Sequence, residues 1–412
     1  MTALPRRRRR YTFIALAAGL VSAIVAPTLV FVGAKAISNS KAGKNALANV
    51  TPEQTFPQTP TAMLATVSAA NELTSVTVFV LAPDSDVTAA GYDQRGGSVV
   101  SVPINIDTGS GQQLLSLHDA YALGGEPELR LDLEAAINLT VDFSSVMTGD
   151  QLAEFLKALP AVQVTLPRDV LGADGAVMFP KGPIALTPTQ VAQIMTTRSQ
   201  TEREHLRQQN LDAVWAAFVS AVGTGLDGQT LSTTAPTNFA EVTGRLMAGP
   251  LASRGLLARP LPAQLNPEGL DIESLDRPDA IMVFASIAPA QMSRPASGLS
   301  YRVEAPPGYD QQVRKTIGIL LALGGNVVSV DLNSKPTAET TFFIYDAGLA
   351  AIEPKDNRLF GTIKIATPDK RLGGIDETLA LGTDYLKKVD LSAPDATSTS
   401  TTTSIPPTET TG

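Results

Sequence analysis

The order of strand and helix patterns in this sequence predicts a layered α/β protein. Residues 76–81 and 98–103 are rich in β-branched side chains and are bounded by turn residues, as buried strands usually are. Residues 151–159 repeat apolar side chains at the helical period, and residues 162–166 again have the pattern of a strand. Strands that alternate with helices pack as helices over a sheet. The chain has 412 residues, of which 43% are hydrophobic, so it is long enough for two or three domains with buried cores.

Two longer helices are predicted in the middle of the chain. Thr187 is a typical helix cap and Pro188 suits a first helical turn, so a helix should begin at this point. The next helix is predicted over residues 202–222. Its apolar positions include Trp215, a large side chain that the pattern assigns to the core.

A second, smaller α/β unit is predicted after residues 291–298, where Pro, Ser and Gly are typical of a boundary. A helix over residues 309–323 ends at Gly324-Gly325, and four strands accompany it. The strands are predicted at residues 299–303, 327–330, 340–345 and 377–381. These elements form a small domain of roughly 90 residues, within the usual range for a domain.

The N-terminus is predicted to be a single membrane-spanning helix. Residues 11–34 carry no charge, and at ~1.5 Å per residue a helix of this length crosses the ~30 Å hydrocarbon layer. Arginines at positions 6–10 precede it, so the positive-inside rule places the N-terminus in the cytoplasm and the body outside the cell. A signal peptide cleaved near Ala34-Lys35-Ala36 is the alternative, and it also exports the body.

Ser, Thr, Pro and Glu dominate the end of the chain, and such a segment cannot bury enough apolar surface to become ordered. The patterns together divide the chain into six segments. They are a basic cytoplasmic segment (1–10), a transmembrane helix (11–35), a tether (36–64), a large layered α/β domain (65–290), a small α/β domain (299–390) and a disordered tail (391–412).

The charge distribution excludes several functions. Six of the 32 basic residues lie within the first 35 positions and no acidic residue precedes Glu53, so the remaining chain carries 26 basic against 40 acidic residues. Such an acidic body is poorly suited to nucleic acid, which binds clustered positive charge. The sequence has no cysteine and only two histidines, far apart, which excludes thiolate chemistry and a histidine-rich metal site.

The order of these segments resembles the LytR-CpsA-Psr family of cell-envelope proteins, and residues 299–388 are similar to the LytR C-terminal-type domain often found with this family. Short motifs carry the resemblance over most of the exported body. They are Ser101-Val102-Pro103, residues 120–125 as a Gly-Gly turn, Phe179 to Gly182, Arg198, Arg207-Gln208-Gln209, Leu323-Gly324-Gly325 and the closing residues 381–385. The resemblance implies a layered α/β fold that faces the cell exterior.

Members of this family transfer glycopolymers from a polyprenyl pyrophosphate carrier to peptidoglycan, with Mg²⁺ and an arginine cluster. Such chemistry needs cations at the phosphates and carboxylates at the metal. Four places in this sequence depart from the family pattern. An expected Ser-Asp-Thr is Ser75-Val76-Thr77, Arg-Asp is Ile104-Asn105, Arg-x-Arg is Thr196-Thr197-Arg198, and an arginine three positions before Arg207 is Glu204. Each departure removes or reverses a charge, which indicates a degenerate relative.

The candidate binding residues are Arg198, Arg207 and Gln208, as a remnant cleft for pyrophosphate or a lipid head group. In the alternative interpretation the two arginines bind no ligand and pair with Glu202 and Glu204 on solvated helix surfaces. Two alternatives remain open, in which a neighbouring residue takes over the role of a missing one. Asp107 would supply the missing aspartate, and Arg203 would supply the arginine missing at position 204. No catalytic or metal-binding residue is predicted, and His118 is interpreted as a loop residue.

The predicted function is therefore that of a membrane-anchored extracytoplasmic protein, a non-catalytic binding or scaffold relative acting in cell wall assembly. Its expected partners are the cytoplasmic membrane and polyprenyl-linked glycan, peptidoglycan or envelope proteins, with no nucleic acid and no cofactor. The alternative is an active phosphotransferase that ligates glycopolymers to peptidoglycan, which would need Mg²⁺. A third hypothesis, a transcription attenuator, is disfavoured because about ten cytoplasmic residues are too few to fold into a DNA reader.

Overall fold

The computed structural model describes residues 53–83, 93–109, 113–228, 231–293, 298–346, 348, 350, 356–357, 359–368 and 370–391. The predicted basic segment, the membrane helix over 11–35, most of the tether and the tail after residue 391 lie outside these residues. Within the described part of the chain, no helix has the length and hydropathy needed to cross a membrane. The chain divides into two compact units, residues 1–54 with 369–371 and residues 55–368 with 372–412.

The described strands are, in chain order, β1 (Glu53–Gln54), β2 (Thr61–Val67), β3 (Leu73–Leu81), β4 (Gly97–Val102), β5 (Phe143–Met147), β6 (Val162–Leu166), β7 (Val170–Leu171), β8 (Val177–Phe179), β9 (Gly182–Leu186), β10 (Leu251–Gly255), β11 (Ala258–Pro260), β12 (Glu273–Leu275), β13 (Ser300–Glu304), β14 (Asn326–Asp331), β15 (Thr340–Ile344), β16 (Asp356–Asn357), β17 (Gly361–Ala366), β18 (Arg371–Leu372) and β19 (Glu377–Ala380). The helices are α1 (Leu117–Ile137), α2 (Gly149–Phe155), α3 (Pro188–Thr196), α4 (Glu204–Val222), α5 (Phe239–Met247), α6 (Arg277–Ile287), α7 (Asp310–Ala322) and α8 (Thr383–Leu386). This mixture confirms the predicted α/β class.

A five-stranded sheet forms the centre of the large region, in the order β10-β4-β3-β2-β5. Strands β2, β3 and β4 are antiparallel, while β5 and β10 each run parallel to their neighbour. All nine residues of β3 are buried because both faces of the sheet are covered. One face packs against α2 to α5 and the β6–β9 hairpin, and the other packs against α1 and α6.

A second sheet of six strands lies near the C-terminus, in the order β14-β13-β19-β15-β17-β16. Helix α7 packs against both α6 and β14, so apolar residues of the two sheets form one continuous cluster. Gly318 on α7 allows this approach, because a Cβ atom there would lie 3.3 Å from Cγ of Pro278 on α6. The four strands and the helix predicted for this region are all present within one or two residues of their predicted bounds.

Several parts of the sequence form structure that the patterns did not predict. Residues 61–64, assigned to the tether, are the first half of β2, and the helices α5 and α6 were missed. The predicted Gly-Gly turn over 120–125 is wrong, because these residues lie within α1. Gly125 has φ 67° and ψ −150°, which kinks the helix, and Pro127 follows where its missing N–H is tolerated. The glycines and the proline therefore interrupt α1 without ending it.

Candidate functional site

The candidate site lies where β3 begins, β4 ends, and α3 leads into α4. Residues 197–203 form this helix connection, and they place Arg198 beside the first turn of α4. Arg207 and Gln208 follow one turn later on the buried side of α4, with side chains almost inaccessible to solvent. The structure thus brings the three predicted binding residues to one edge of the central sheet.

Arg207 is held by hydrogen bonds from three of its nitrogen atoms to the protein itself. Nε donates to the carbonyl of Thr197 (3.1 Å), and Nη1 donates to Oε1 of Glu204 (2.6 Å). Nη2 donates to the carbonyls of Thr74 (2.6 Å) and Met195 (3.2 Å). An arginine has five N–H donors, so these bonds leave one for any other partner. Arg207 ties the start of β3 to the end of α3.

Glu204 lies completely buried between the two arginines. One carboxylate oxygen accepts from Arg207, and the other lies 3.4 Å from Nε of Arg198. The backbone N–H of Glu204 donates to Oδ2 of Asp271 (2.9 Å), a carboxylate placed favourably at the N-terminus of α4. Arg198 also lies 4.0 Å from Asp271. The pairing of Arg207 with Glu204 therefore exists, but in the interior instead of on a solvated surface.

Arg203 does not take the place of the arginine missing at position 204. Its side chain is 60% exposed, and its guanidinium lies 3.9 Å from Asp271. Arg203 is the N-cap residue of α4, so it precedes the helical turn that aims Glu204 inward. The possibility that Glu204 points away while Arg203 reaches inward is therefore wrong.

Gln208 belongs to a second set of buried polar groups, between α4 and the ends of β4 and β10. Its Nε2 donates to Oγ of Ser101 (2.6 Å) and to Oδ1 of Asp212 (2.9 Å). Burial raises the pKa of the Asp212 carboxyl, while the bonds from Gln208 and Ser101 oppose that rise. Gly255 packs closely beside it: a Cβ atom there would lie 2.7 Å from Oδ2 of Asp212, so the carboxylate would have to shift.

Hydroxyl groups lie next to the strand position where the family resemblance implies an aspartate. Oγ1 of Thr66 lies 2.8 Å from Oγ1 of Thr74 and 2.6 Å from Oγ of Ser75, and all three side chains are buried. Val76, at the position of the aspartate, packs in the apolar cluster on the opposite face. These hydroxyls satisfy one another and supply no negative charge for a metal.

Asn105 and Glu273 add two buried groups that the sequence did not place here. Both residues are at most 3% exposed, Oε1 of Glu273 has no hydrogen-bond partner in the described part of the chain, and the Asn105 side chain lies close enough to hydrogen-bond the Glu273 carboxyl. Burial, followed by the charges of Asp271 and Glu204, raises the pKa of Glu273 to about 7. His205 lies 3.7 Å from the unpartnered oxygen.

Two small clefts open beside these groups. One, of about 350 Å³, is lined by Asn105, His118, Asp119 and Arg198, and the other, of about 320 Å³, is lined by Arg203, His205 and Glu273. Residues 270–272 form the partition between them. Asp271 and Glu273 come from a segment whose sequence has no motif, so no local signal indicated their role.

In the ranges that the structure describes, no three acidic or histidine side chains converge as a metal site. Asp107, the candidate substitute for the lost aspartate, uses its carboxylate to accept from the N–H of Gly109 (3.3 Å).

His118 is not the loop residue that the sequence suggested. It lies in the first turn of α1, whose N-cap Ser116 forms a capping box with Asp119. Burial lowers the pKa of His118, and the nearby charge of Arg198 lowers it further, against the opposing effect of Asp119. The imidazole is therefore neutral at pH 7.

Trp215 lies in the core, as predicted, within a cluster of aromatic rings behind the site. Its ring contacts Phe79 (5.7 Å between centroids) and Phe218 (5.1 Å), both edge to face. Phe239 continues the cluster from Phe79 to Phe155. The apolar side chains of α2 therefore pack against filled core in this direction.

Comparisons with known proteins give structural similarities alone. No family model matches the chain, and no curated protein matches it. Similar solved structures include B. subtilis TagV (TM-score 0.37, 12% identity, covering 55% of this chain and 94% of TagV) and TagT bound to LIIa-WTA (0.37, 16%, 57% and 92%). A putative transcription regulator from Eubacterium siraeum is also similar (0.37, 13%, 54% and 88%). TagT and TagV are LytR-CpsA-Psr proteins, and the likeness to them concerns the fold.

Proposed function

We propose that this chain is a non-catalytic binding or scaffold protein of the LytR-CpsA-Psr type that acts in cell wall assembly. In this proposal residues 11–35 anchor it in the cytoplasmic membrane, and the folded body lies outside the cell. The order of the family-like motifs supports the family, and the acidic body supports a role away from nucleic acid.

The burial of Glu204 is the observation that carries the non-catalytic part of the proposal. A pyrophosphate group would need guanidinium donors free to meet the charge that develops during transfer. Here one carboxylate already lies against Arg198 and Arg207, and Asp271 lies near Arg198 and Arg203. A protein carboxylate thus takes the position that an anionic substrate group would need.

The arrangement also makes displacement of Glu204 by a substrate costly. Glu204 is fully buried, and moving it would leave a buried arginine without its counter-ion. Such a penalty is typically about 3–5 kcal/mol, which a weakly held anion would not offset. A polyprenyl-linked glycan, a peptidoglycan fragment or an envelope protein would therefore be held by other contacts than a pyrophosphate clamp.

Native mass spectrometry of the full chain in detergent micelles tests this function. The protein is incubated with a polyprenyl pyrophosphate-linked sugar, peptidoglycan fragments and Mg²⁺, and both bound species and released polyprenyl phosphate are measured. We expect a bound carrier or peptidoglycan fragment and no release. Release of polyprenyl phosphate that is lost in the Arg207→Ala variant would establish the alternative, a phosphotransferase. A protein that binds none of these molecules would contradict the binding role.

A further inference from the structure

A cleft of about 720 Å³ opens at one end of the six-stranded sheet, where β15 and β17 begin and β19 ends. Residues of α7 and α8 complete its lining, and we name it the Tyr385 cleft. Its volume lies within the roughly 300–1,000 Å³ that is typical of small-molecule sites. No residue of the candidate site around Glu204 lines it, so it is a separate place in the molecule.

The apolar part of the Tyr385 cleft is built around fixed aromatic rings. Phe360 packs between Phe342 (5.5 Å between centroids) and Tyr385 (5.2 Å). The hydroxyl of Thr316 donates its one proton to the carbonyl of Gln312 (2.8 Å), so the Tyr385 hydroxyl donates to Thr316 (3.0 Å). This bond and the ring contacts hold the half-buried Tyr385 ring in place at the cleft. A ligand therefore meets a wall that is already ordered before it binds.

Polar side chains with unused bonding capacity line the rest of the cleft. Glu339, Asp384 and Lys388 are exposed, and within the described part of the chain their charged groups have neither a hydrogen bond nor an ion pair. The two carboxylates can only accept hydrogen bonds, and the ammonium group can only donate them. A ligand hydroxyl can do both, so hydroxyl groups match every member of this set.

The charges of the lining favour a neutral ligand. Its described members include two lysines and three acidic residues, which are Lys315, Lys388, Glu339, Asp384 and Asp390. An anion would meet three carboxylates and a cation would meet two ammonium groups, so a ligand with a single charge is repelled in part in either case. A neutral molecule with many hydroxyl groups meets no such repulsion.

We infer that the Tyr385 cleft binds a short neutral saccharide. The C–H face of a sugar ring lies against the aromatic wall, because the faces of aromatic rings are electron-rich. Sugar hydroxyls donate to Asp384 and Glu339, and others accept from Lys388. The inference stands on this cleft alone and does not depend on the role proposed in wall assembly, since a soluble saccharide without a lipid carrier suffices to test it.

The test measures dissociation constants by saturation-transfer NMR titration of the full chain in micelles of a sugar-free detergent. The probes are maltotriose, whose polar groups are hydroxyls and ethers, and triacetylchitotriose, which adds amides. Trialanine, a zwitterionic peptide, is the comparison molecule. We expect at least one saccharide to bind about tenfold more tightly than trialanine, because several charge-assisted hydrogen bonds add to the ring contact. Preference between the two saccharides identifies the kind of sugar. Tighter binding of trialanine, or no binding of either saccharide, would overturn the inference.

Substitutions of single polar groups locate the binding within the molecule. Lys388→Ala and Asp384→Ala should each weaken saccharide binding about fivefold or more, because hydrogen bonds to charged groups are the stronger ones. Both side chains are exposed, so the variants should stay folded. Lys387→Ala is the matched control, at an exposed neighbouring position outside the cleft lining, and should bind like the unmodified protein.

A second pair of variants blocks the cleft without removing any of these groups. Thr362→Arg places a long side chain at the start of β17, on the cleft lining, and should weaken saccharide binding about tenfold. Thr367→Arg, at an exposed position beyond the other end of β17, is its control. Saccharide binding that Thr362→Arg leaves unchanged, or that the two control variants weaken equally, would overturn the inference.

Discussion

Glu204 lies fully buried between Arg198 and Arg207, where one carboxylate pairs with two cations. Its effect depends on helix geometry, because Arg207 lies three residues further along α4 and on the same side. The neighbouring Glu273 shows the opposite balance. Burial, followed by the negative charges of Asp271 and Glu204, raises its pKa to about 7.

Removing the Glu204 carboxylate should create an anion site. We expect Glu204→Ala to lose about 3–5 kcal/mol of unfolding free energy, because Arg207 stays buried without its counter-ion. Inorganic phosphate should then raise the unfolding midpoint of the variant, since it binds the folded state alone. Urea titrations with and without phosphate measure both effects. Glu202→Ala, on the same segment, is the control and should show no phosphate effect. Equal stabilisation of the unmodified protein by phosphate would contradict the role given to Glu204.

Glu273 should make stability depend on pH. Its folded-state pKa, about 7, lies above the ordinary value of 4.5, so the folded protein binds the proton more tightly than the unfolded chain. The resulting stabilisation is present below pH 4.5 and is lost as the pH rises through about 7. Glu273→Gln should remove at most about 3 kcal/mol of this change between pH 4.5 and 8, measured by denaturant unfolding. The pKa values of Asp212 and Asp279 are also raised, and their effect on the pH dependence of stability is the same in the unmodified protein and in the Glu273→Gln variant. Identical pH profiles of the two proteins would refute the assignment.

Helix α6 lies between the two sheets and connects them. The residues at its start contact elements on both sides of the helix. Asp276 caps the helix by accepting from the N–H of Asp279 (3.1 Å). The same carboxylate lies 3.4 Å from Arg259 on β11 and 3.2 Å from Arg314 on α7. One buried aspartate therefore joins the helix start to elements on both sides of it.

Replacing Asp276 should separate its capping role from its ion pairs. Asp276→Ala should lower the unfolding free energy by about 2–4 kcal/mol, because it removes the cap and leaves Arg314 without this carboxylate. Asp276→Asn keeps a good N-cap and should lose less. Thermal and urea unfolding measure the difference. Ser274→Ala, at an exposed position on β12, is the control and should change stability by less than about 0.5 kcal/mol. Equal losses for the Ala and Asn variants would show that the cap contributes nothing and that the ion pairs account for the whole loss.

At the scale of the whole molecule, the described residues of both sheets share one apolar cluster, with α6 and α7 between them. Phe284 on α6 and Val327 on β14 are both fully buried in it. Surfaces that bury each other in this way unfold together when the shared contacts are a large part of each region's core. The boundary predicted at residues 291–298 thus joins two regions in close contact.

Scanning calorimetry of the full chain should show one cooperative transition for the folded body. The calorimetric enthalpy should equal the van't Hoff enthalpy, as it does for two-state unfolding. Phe284→Ala should lower that single transition as a whole, by about 3–5 kcal/mol in unfolding free energy. Two resolved transitions, or a variant that shifts only one part of the signal, would show that the two regions unfold independently.

Much of the secondary structure was predictable because its signals are local. The strand β6 occupies the predicted residues 162–166, and Thr187 caps α3 as expected. Helix α1 was missed because Gly125 and Pro127, which usually end a helix, form a kink inside one. Asp276 and Pro278 are a cap and a first-turn proline that could have revealed α6.

The sequence by itself determined the α/β class and the identity of the candidate residues Arg198, Arg207 and Gln208. Only the tertiary structure decided what these residues can do. The sequence shows that position 204 carries a carboxylate, but the inward direction of that side chain depends on how α4 packs against the sheet. Asp271 and Glu273 lie far from Glu204 along the chain and come close to it only after folding. Charges act through distance in space and through burial, and neither quantity can be obtained from spacing along the chain.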